Sequence, residues 1–91
     1  MAVFVVTYDL RQPGRNYQPL YDRLAAWKAL HCLDSVWIIK WDTNSQTIRD
    51  DLLNHMDSND GLLVAQLSGQ AAWTNLDNST APTLKNWLEG K

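Results

Sequence analysis

The chain opens on a near-continuous apolar run, Ala2–Tyr8, dense in valine and aromatic residues. A run without polar alternation suits a strand buried on both faces, in the middle of a sheet. It stops at Asp9-Leu10-Arg11-Gln12-Pro13-Gly14-Arg15-Asn16. Proline fixes φ there and glycine admits positive φ, so a turn follows. From Tyr17 to Leu30, the apolar positions Tyr17, Leu20, Tyr21, Leu24 and Trp27 recur at helical spacing. Pro19 is tolerated only in a first turn, which starts the predicted helix near Tyr17 or Gln18. Ser35–Trp41 is rich in β-branched and aromatic residues and predicts a second strand. Asp42-Thr43-Asn44-Ser45 ends it and supplies candidate helix caps. Ile48, Leu52 and Met56, spaced by four, predict a second amphipathic helix. Asp57-Ser58-Asn59-Asp60-Gly61 reads as a turn, and Leu62–Leu67 as a third strand. Residues 70–76 read as a short strand or a loop. Asp77–Pro82 cap a last helix, whose apolar face is Leu84, Trp87 and Leu88.

The predicted order is β-α-β-α-β and then a helix. Strands joined through helices imply a sheet with helices packed against it. The expected architecture is an α+β ferredoxin-like sandwich. It has one sheet with helices on one face, plus a C-terminal helix, as a single domain over residues 1–91. A four-stranded version needs one more strand. Residues 37–44, split by a tight bend, or Ala71–Asn75 are the two expected sources.

Composition narrows the function. With 45% hydrophobic and 20% charged residues, the chain is neither disordered nor fibrous. At 91 residues its core is small, and five tryptophans are many for it. Large aromatics are enriched in interfaces, so a homodimer is expected. No apolar run reaches the ~20 residues of a membrane span, so no membrane partner is expected. The N-terminus reads as a strand and not as a signal peptide. A lone cysteine, Cys32, suits a reducing cytoplasm.

Residues 1–41 carry five basic against three acidic side chains, and residues 42–91 carry three against seven. A net charge of −2 is not the footprint of a protein that grips long duplexes through phosphates. Binding of nucleic acid or a nucleotide would rest on a local basic site near Arg11 and Arg15.

Asp9 is the leading chemical candidate, because it stands where a central strand gives way to a turn. A strand end fixes a carboxylate while leaving it open to substrate. The alternative is an Asx turn that simply ends the strand. Mg²⁺ is usually held by one or two carboxylates with waters and phosphates, and a two-fold dimer would pair two copies of Asp9. Arg11 and Arg15, with Gln12 and Asn16, offer donors for a phosphate, which the planar arginine fork matches. The alternative is a solvated loop. His31, Cys32 and His55 form no metal or catalytic signature. No phosphate-binding glycine loop, zinc motif or nucleophile elbow is present.

The opening Val5-Val6-Thr7-Tyr8-Asp9-Leu10 resembles the start of the small CRISPR-associated endonucleases of spacer acquisition. It also resembles the related VapD-type ribonucleases. Asp34-Ser35-Val36-Trp37-Ile38-Ile39 is similar to that family's second strand motif. The pattern is closer still to small bacterial and phage proteins labelled SinR-like, with "YDL…PG…Y" and "LDS-x-W". The resemblance spans about residues 3–68. It implies a ferredoxin-like homodimer in which Asp9 approaches its symmetry mate and binds a divalent metal, Mg²⁺ or Mn²⁺. Ser35 matches the family's strand serine. The chain departs from the family in lacking the basic stretch after the aspartate, and Leu33-Asp34 stand where a glutamine motif is usual.

The expected function is a homodimeric, metal-dependent nuclease acting on phosphodiesters. Asp9 would be the catalytic residue and metal ligand. Arg11, Arg15, Asn16, Tyr17 and Ser35 would bind substrate. The alternatives are a non-catalytic nucleotide- or oligonucleotide-binding module, or an antitoxin-like partner of another protein.

Overall fold

A computed structural model describes residues 2–90. Its elements run β1 (Ala2–Asp9), α1 (Gln18–Ala26), β2 (Leu30–Leu33), β3 (Val36–Trp41), α2 (Ser45–Leu53), β4 (Gly61–Gln66) and α3 (Thr80–Leu88). The four strands form one sheet in the order β2-β3-β1-β4, with every neighbouring pair antiparallel. This is the ferredoxin-like βαββαβ arrangement with one added helix.

β1 lies inside the sheet, and its alternation serves two cores. Phe4, Val6 and Tyr8 pack with Leu20 and Leu24 of α1, Ile48 and Leu52 of α2, and Met56 beyond it. Val3 and Val5 point the other way and pack with Ile38, Leu84, Trp87 and Leu88. Helices α1 and α2 therefore cover one face, and α3 covers part of the other. A strand flanked on both faces has no room for polar alternation, which explains the apolar run Ala2–Tyr8.

The fourth strand comes from neither expected source. It is Leu30–Leu33, which starts at the last residue of the stretch predicted as helix, while residues 71–75 form no strand. α1 stops at Ala26 because Lys28 takes a left-handed backbone, φ 59°. The Lys28 N–H bonds the Ala25 carbonyl at 2.9 Å, and the Ala29 N–H bonds the Leu24 carbonyl at 3.1 Å. That pair of bonds is the Schellman ending of a helix, made here without the usual glycine.

The other helix starts follow local chemistry. Asn44, one of the expected caps, accepts the Thr47 N–H at 2.8 Å. Asp77 accepts the Ser79 hydroxyl at 2.8 Å and the Thr80 N–H at 2.6 Å before α3. The Ser79 hydroxyl and the Thr80 N–H hold the Asp77 carboxyl down to about 2. Among the described residues, no helix is long and apolar enough to cross a membrane.

Candidate functional site

Asp9 closes β1, and the turn before β3 comes to meet it. The Tyr8 N–H donates to the Ser35 carbonyl at 3.3 Å. As a result Asp9 and Ser35, 26 residues apart in sequence, line one open cleft of about 460 Å³ with Tyr8, Leu10, Tyr21 and Asp34. The pairing follows from β1 and β3 being neighbours, with Thr7 opposite Val36.

A hydrogen-bond chain stiffens the wall of this cleft. Trp37 Nε1 donates to the Tyr8 hydroxyl at 3.0 Å, and the Tyr8 hydroxyl donates to the Asp34 carbonyl at 3.4 Å. His31 lies flat on Trp37, with ring centres 4.0 Å apart, and its Nε2 is 3.0 Å from the same Asp34 carbonyl. A carbonyl oxygen only accepts, so His31 carries its proton on Nε2. Burial pushes the Tyr8 hydroxyl above the ordinary phenol value, and the negative charge of Asp34 adds to this. Tyr8 therefore stays protonated at neutral pH and remains a donor.

Asp9 itself is open, with 72% of its side chain exposed. Arg11 Nε donates to Asp9 Oδ2 at 3.1 Å, and Arg11 Nη1 to the Asn59 carbonyl at 3.2 Å. The expected phosphate donors are thus engaged with the chain's own acceptors. Arg15 pairs with Asp57 at 3.6 Å and lies over the Tyr17 ring at 5.8 Å. Asn16 Oδ1 accepts the Gln18 N–H at 3.0 Å, holding the start of α1. The Tyr17 hydroxyl donates to Asp60 Oδ1 at 2.8 Å.

Asp60 is the hub that the sequence presented only as part of a turn. It also accepts the main-chain N–H of Arg11 at 2.7 Å and of Asp57 at 2.8 Å. Burial alone would raise its carboxyl. The donors Arg11, Tyr17 and Asp57 outweigh that and hold it below the ordinary value. Burial and the hydrogen bond to Asp60 raise the Tyr17 hydroxyl.

The structure therefore gathers the predicted residues into two neighbouring groups. Asp9 and Ser35 share the cleft. Arg15, Asn16 and Tyr17 hold the loop beside it. Arg11 joins the two groups. Away from this region, Trp73 is 40% exposed and lines an apolar groove of about 230 Å³ with Cys32, Leu33 and Leu76. Burial raises the Cys32 thiol, so it is held in its unreactive form. Tyr8, Tyr21 and Asp34 were not singled out from the sequence as cleft residues. Two of them adjoin Asp9 and Ser35 in sequence, and that adjacency was the available signal.

Among the described residues, no group of three or more His, Cys, Asp or Glu side chains converges to hold a metal ion. What Asp9 offers is hard carboxylate oxygen at an open strand end. That suits Mg²⁺ or Mn²⁺ carried on few protein ligands, and does not suit a closed zinc site. No family model matches the chain, and no solved structure matches it.

Proposed function

We propose that the protein is a homodimeric nuclease that cleaves nucleic-acid phosphodiesters with a divalent metal held at Asp9. One observation carries the reading. Asp9 shares its sheet face with Val3, Val5 and Thr7, and α3 covers only part of that face. Leu63, the cross-strand partner of Thr7, is 59% exposed there, and Leu33, opposite Val36, is 51% exposed. Apolar side chains left open beside an exposed carboxylate favour a second copy docking on this face. A two-fold axis near Leu63 would bring the two Asp9 carboxylates toward one another.

Two carboxylates, completed by water and phosphate oxygens, are a suitable ligand set for Mg²⁺ or Mn²⁺. Such an ion supplies an activated water and neutralises charge on the phosphate. Asp9 holds it. Arg11 and Arg15, on the loop after β1, orient the phosphate through planar, two-pronged donors. The protonated Tyr8 hydroxyl and Ser35 line the cleft where the rest of the nucleotide would lie. Asn16 and Tyr17 keep the arginine loop in place.

The test is cleavage of single- and double-stranded RNA and DNA by wild type and Asp9→Asn, with Mg²⁺, Mn²⁺ or chelator. Cleavage by wild type alone, abolished by chelator, is expected. Cleavage that persists in Asp9→Asn or in chelator overturns the assignment. A wild-type protein that sediments as a monomer at micromolar concentration removes the paired carboxylates.

The stacking of Arg15 over Tyr17 favours a second reading, a nucleotide-binding module without chemistry. A cation beside an aromatic ring suits a phosphate and a base together. Calorimetry with a nucleotide panel decides it, with heat but no cleavage as the supporting result.

A further inference from the structure

The sheet has two edge strands, and they are built differently. β2 is short, Leu30–Leu33, and its register slips between His31 and Leu33. Leu30 and Cys32 also pack against the cluster that holds Leu84 of α3. A short, irregular edge with a helix against it is protected from pairing with another chain. β4 has none of these devices. Gly61-Leu62-Leu63-Val64-Ala65-Gln66 carries no charge and no proline, and its pairing with β1 runs without a register shift.

The main-chain groups on the free side of β4 follow from two hydrogen bonds. The Leu67 N–H bonds the Val3 carbonyl at 2.8 Å, and the Tyr8 N–H turns away from β4 to the Ser35 carbonyl at 3.3 Å. Successive residues of an antiparallel strand direct these groups to opposite sides. Gly61, Leu63 and Ala65 therefore face β1, and Leu62, Val64 and Gln66 face outward. Among the described residues, no turn, cap or loop main chain bonds these three.

We infer that β4 is an interface strand, which pairs antiparallel with β4 of a second copy about a two-fold axis at Val64. In that register Val64 stands opposite its own counterpart, and Leu62 opposite the partner's Gln66. These are the outward-facing residues, so each such pair exchanges two hydrogen bonds. A register centred on Leu63 would leave Gln66 without a strand residue opposite it. The Val64 register also sets Leu63, 59% exposed in one copy, beside the partner's Ala65, where a cross-strand contact covers it.

Charge selects the orientation. Asp57 and Asp60 precede β4, and Leu67-Ser68-Gly69-Gln70 follow it without charge. Antiparallel pairing sets each acidic turn against an uncharged end, whereas a parallel neighbour would bring two acidic turns together. A two-fold pairing of identical edges is closed, so it stops at two copies. This contact is separate from the nuclease reading. It uses the edge of the sheet and leaves Leu33 on the face open, so both contacts fit on one chain.

Amide hydrogen exchange of the intact protein, read residue by residue by NMR and set beside sedimentation, tests the pairing. A monomer leaves the N–H groups of Leu62, Val64 and Gln66 in water, where they exchange at nearly the free-chain rate. Pairing at β4 is expected to slow them at least about tenfold, in step with the fraction of dimer. Gln66→Pro removes an outward donor and no bond to β1, and is expected to weaken association about tenfold. A dimer whose three amides still exchange at the free-chain rate overturns the edge pairing and leaves the sheet face as the contact. Undiminished association of folded Gln66→Pro also overturns it. A monomer with free exchange at about 1 mM removes both contacts together.

Discussion

The Tyr17 hydroxyl and the Asp60 carboxylate meet at 2.8 Å across 43 residues of sequence. With the N–H groups of Arg11 and Asp57, this contact ties the loop after β1 to the loop before β4. Both loops flank the candidate site, so the clamp sets where Arg11 and Arg15 stand. Asp60→Ala removes the acceptor of all three bonds. The donors regain water because the loops are near the surface, so the expected loss is about 1 kcal/mol. Tyr17→Phe removes one bond and should cost less. Urea unfolding of both variants checks this; midpoints equal to wild type would show that the clamp adds no stability.

Acid should loosen the same region. Asp60 is held low by its donors against burial. Asp51 is held low first by its hydrogen bonds from Arg23, and Asp77 is held at about 2 by Ser79 and Thr80. A carboxyl depressed in the folded state stabilises it above the unfolded value, near ~3.9 for aspartate. That stability is lost as pH falls through the folded value. Thermal midpoints should therefore stay level above about pH 5 and fall toward pH 2. The gap between wild type and Asp77→Asn should close over the same interval. A gap that stays constant down to pH 2 would contradict the assignment.

Arg23 donates to Asp51 through both Nε, at 2.9 Å, and Nη2, at 2.7 Å, bridging α1 to α2. The same guanidinium lies 5.0 Å over Trp27, which leans on Trp41 at 5.0 Å. The pair is partly exposed, so solvent screening keeps its contribution small. A double-mutant cycle with Arg23→Ala and Asp51→Ala should give a small favourable coupling that shrinks in high salt. Arg23→Ala should cost more than Asp51→Ala, because it also strips packing from Trp27.

Leu63→Asp separates association from folding. Leu63 is mostly exposed, so the change should leave stability within about 0.5 kcal/mol. On a face that receives a second copy, a carboxylate should shift sedimentation toward monomer. A variant that dimerises like wild type would move the interface elsewhere.

Much of the fold was legible because local patterns carried it. The apolar run of β1 announced a strand with both faces covered, and the stretch Asp42–Ser45 contained the cap that Asn44 provides. β2 was not legible. Leu24, Trp27 and Lys28 continue a helical spacing, and the stop at Lys28 is made by backbone bonds without a glycine to mark it. Of the site, Asp9 stood out from its place at a strand end. Its ion pair with Arg11 did not stand out, because two residues of spacing say nothing about contact until Gly61 and Asn59 come alongside. Ser35 entered through resemblance, and the bond of its carbonyl to Tyr8 is what puts it in the Asp9 cleft.

The sequence by itself determined which positions are apolar on each element and where α2 begins, since these depend on residues within a few places of one another. Tertiary structure decided the partners of the charges. Arg15 and the Arg11 backbone reach the carboxylates of Asp57 and Asp60 because the pairing of β4 with β1 sets the two loops side by side. It also decided that α3 would cover one part of a sheet face and leave Leu63 open beside Asp9. Contacts more than 40 residues apart have no local energetic signature. They form when burial of the shared core fixes the strand order, and the loops at the sheet's end are then brought together whatever charges they carry.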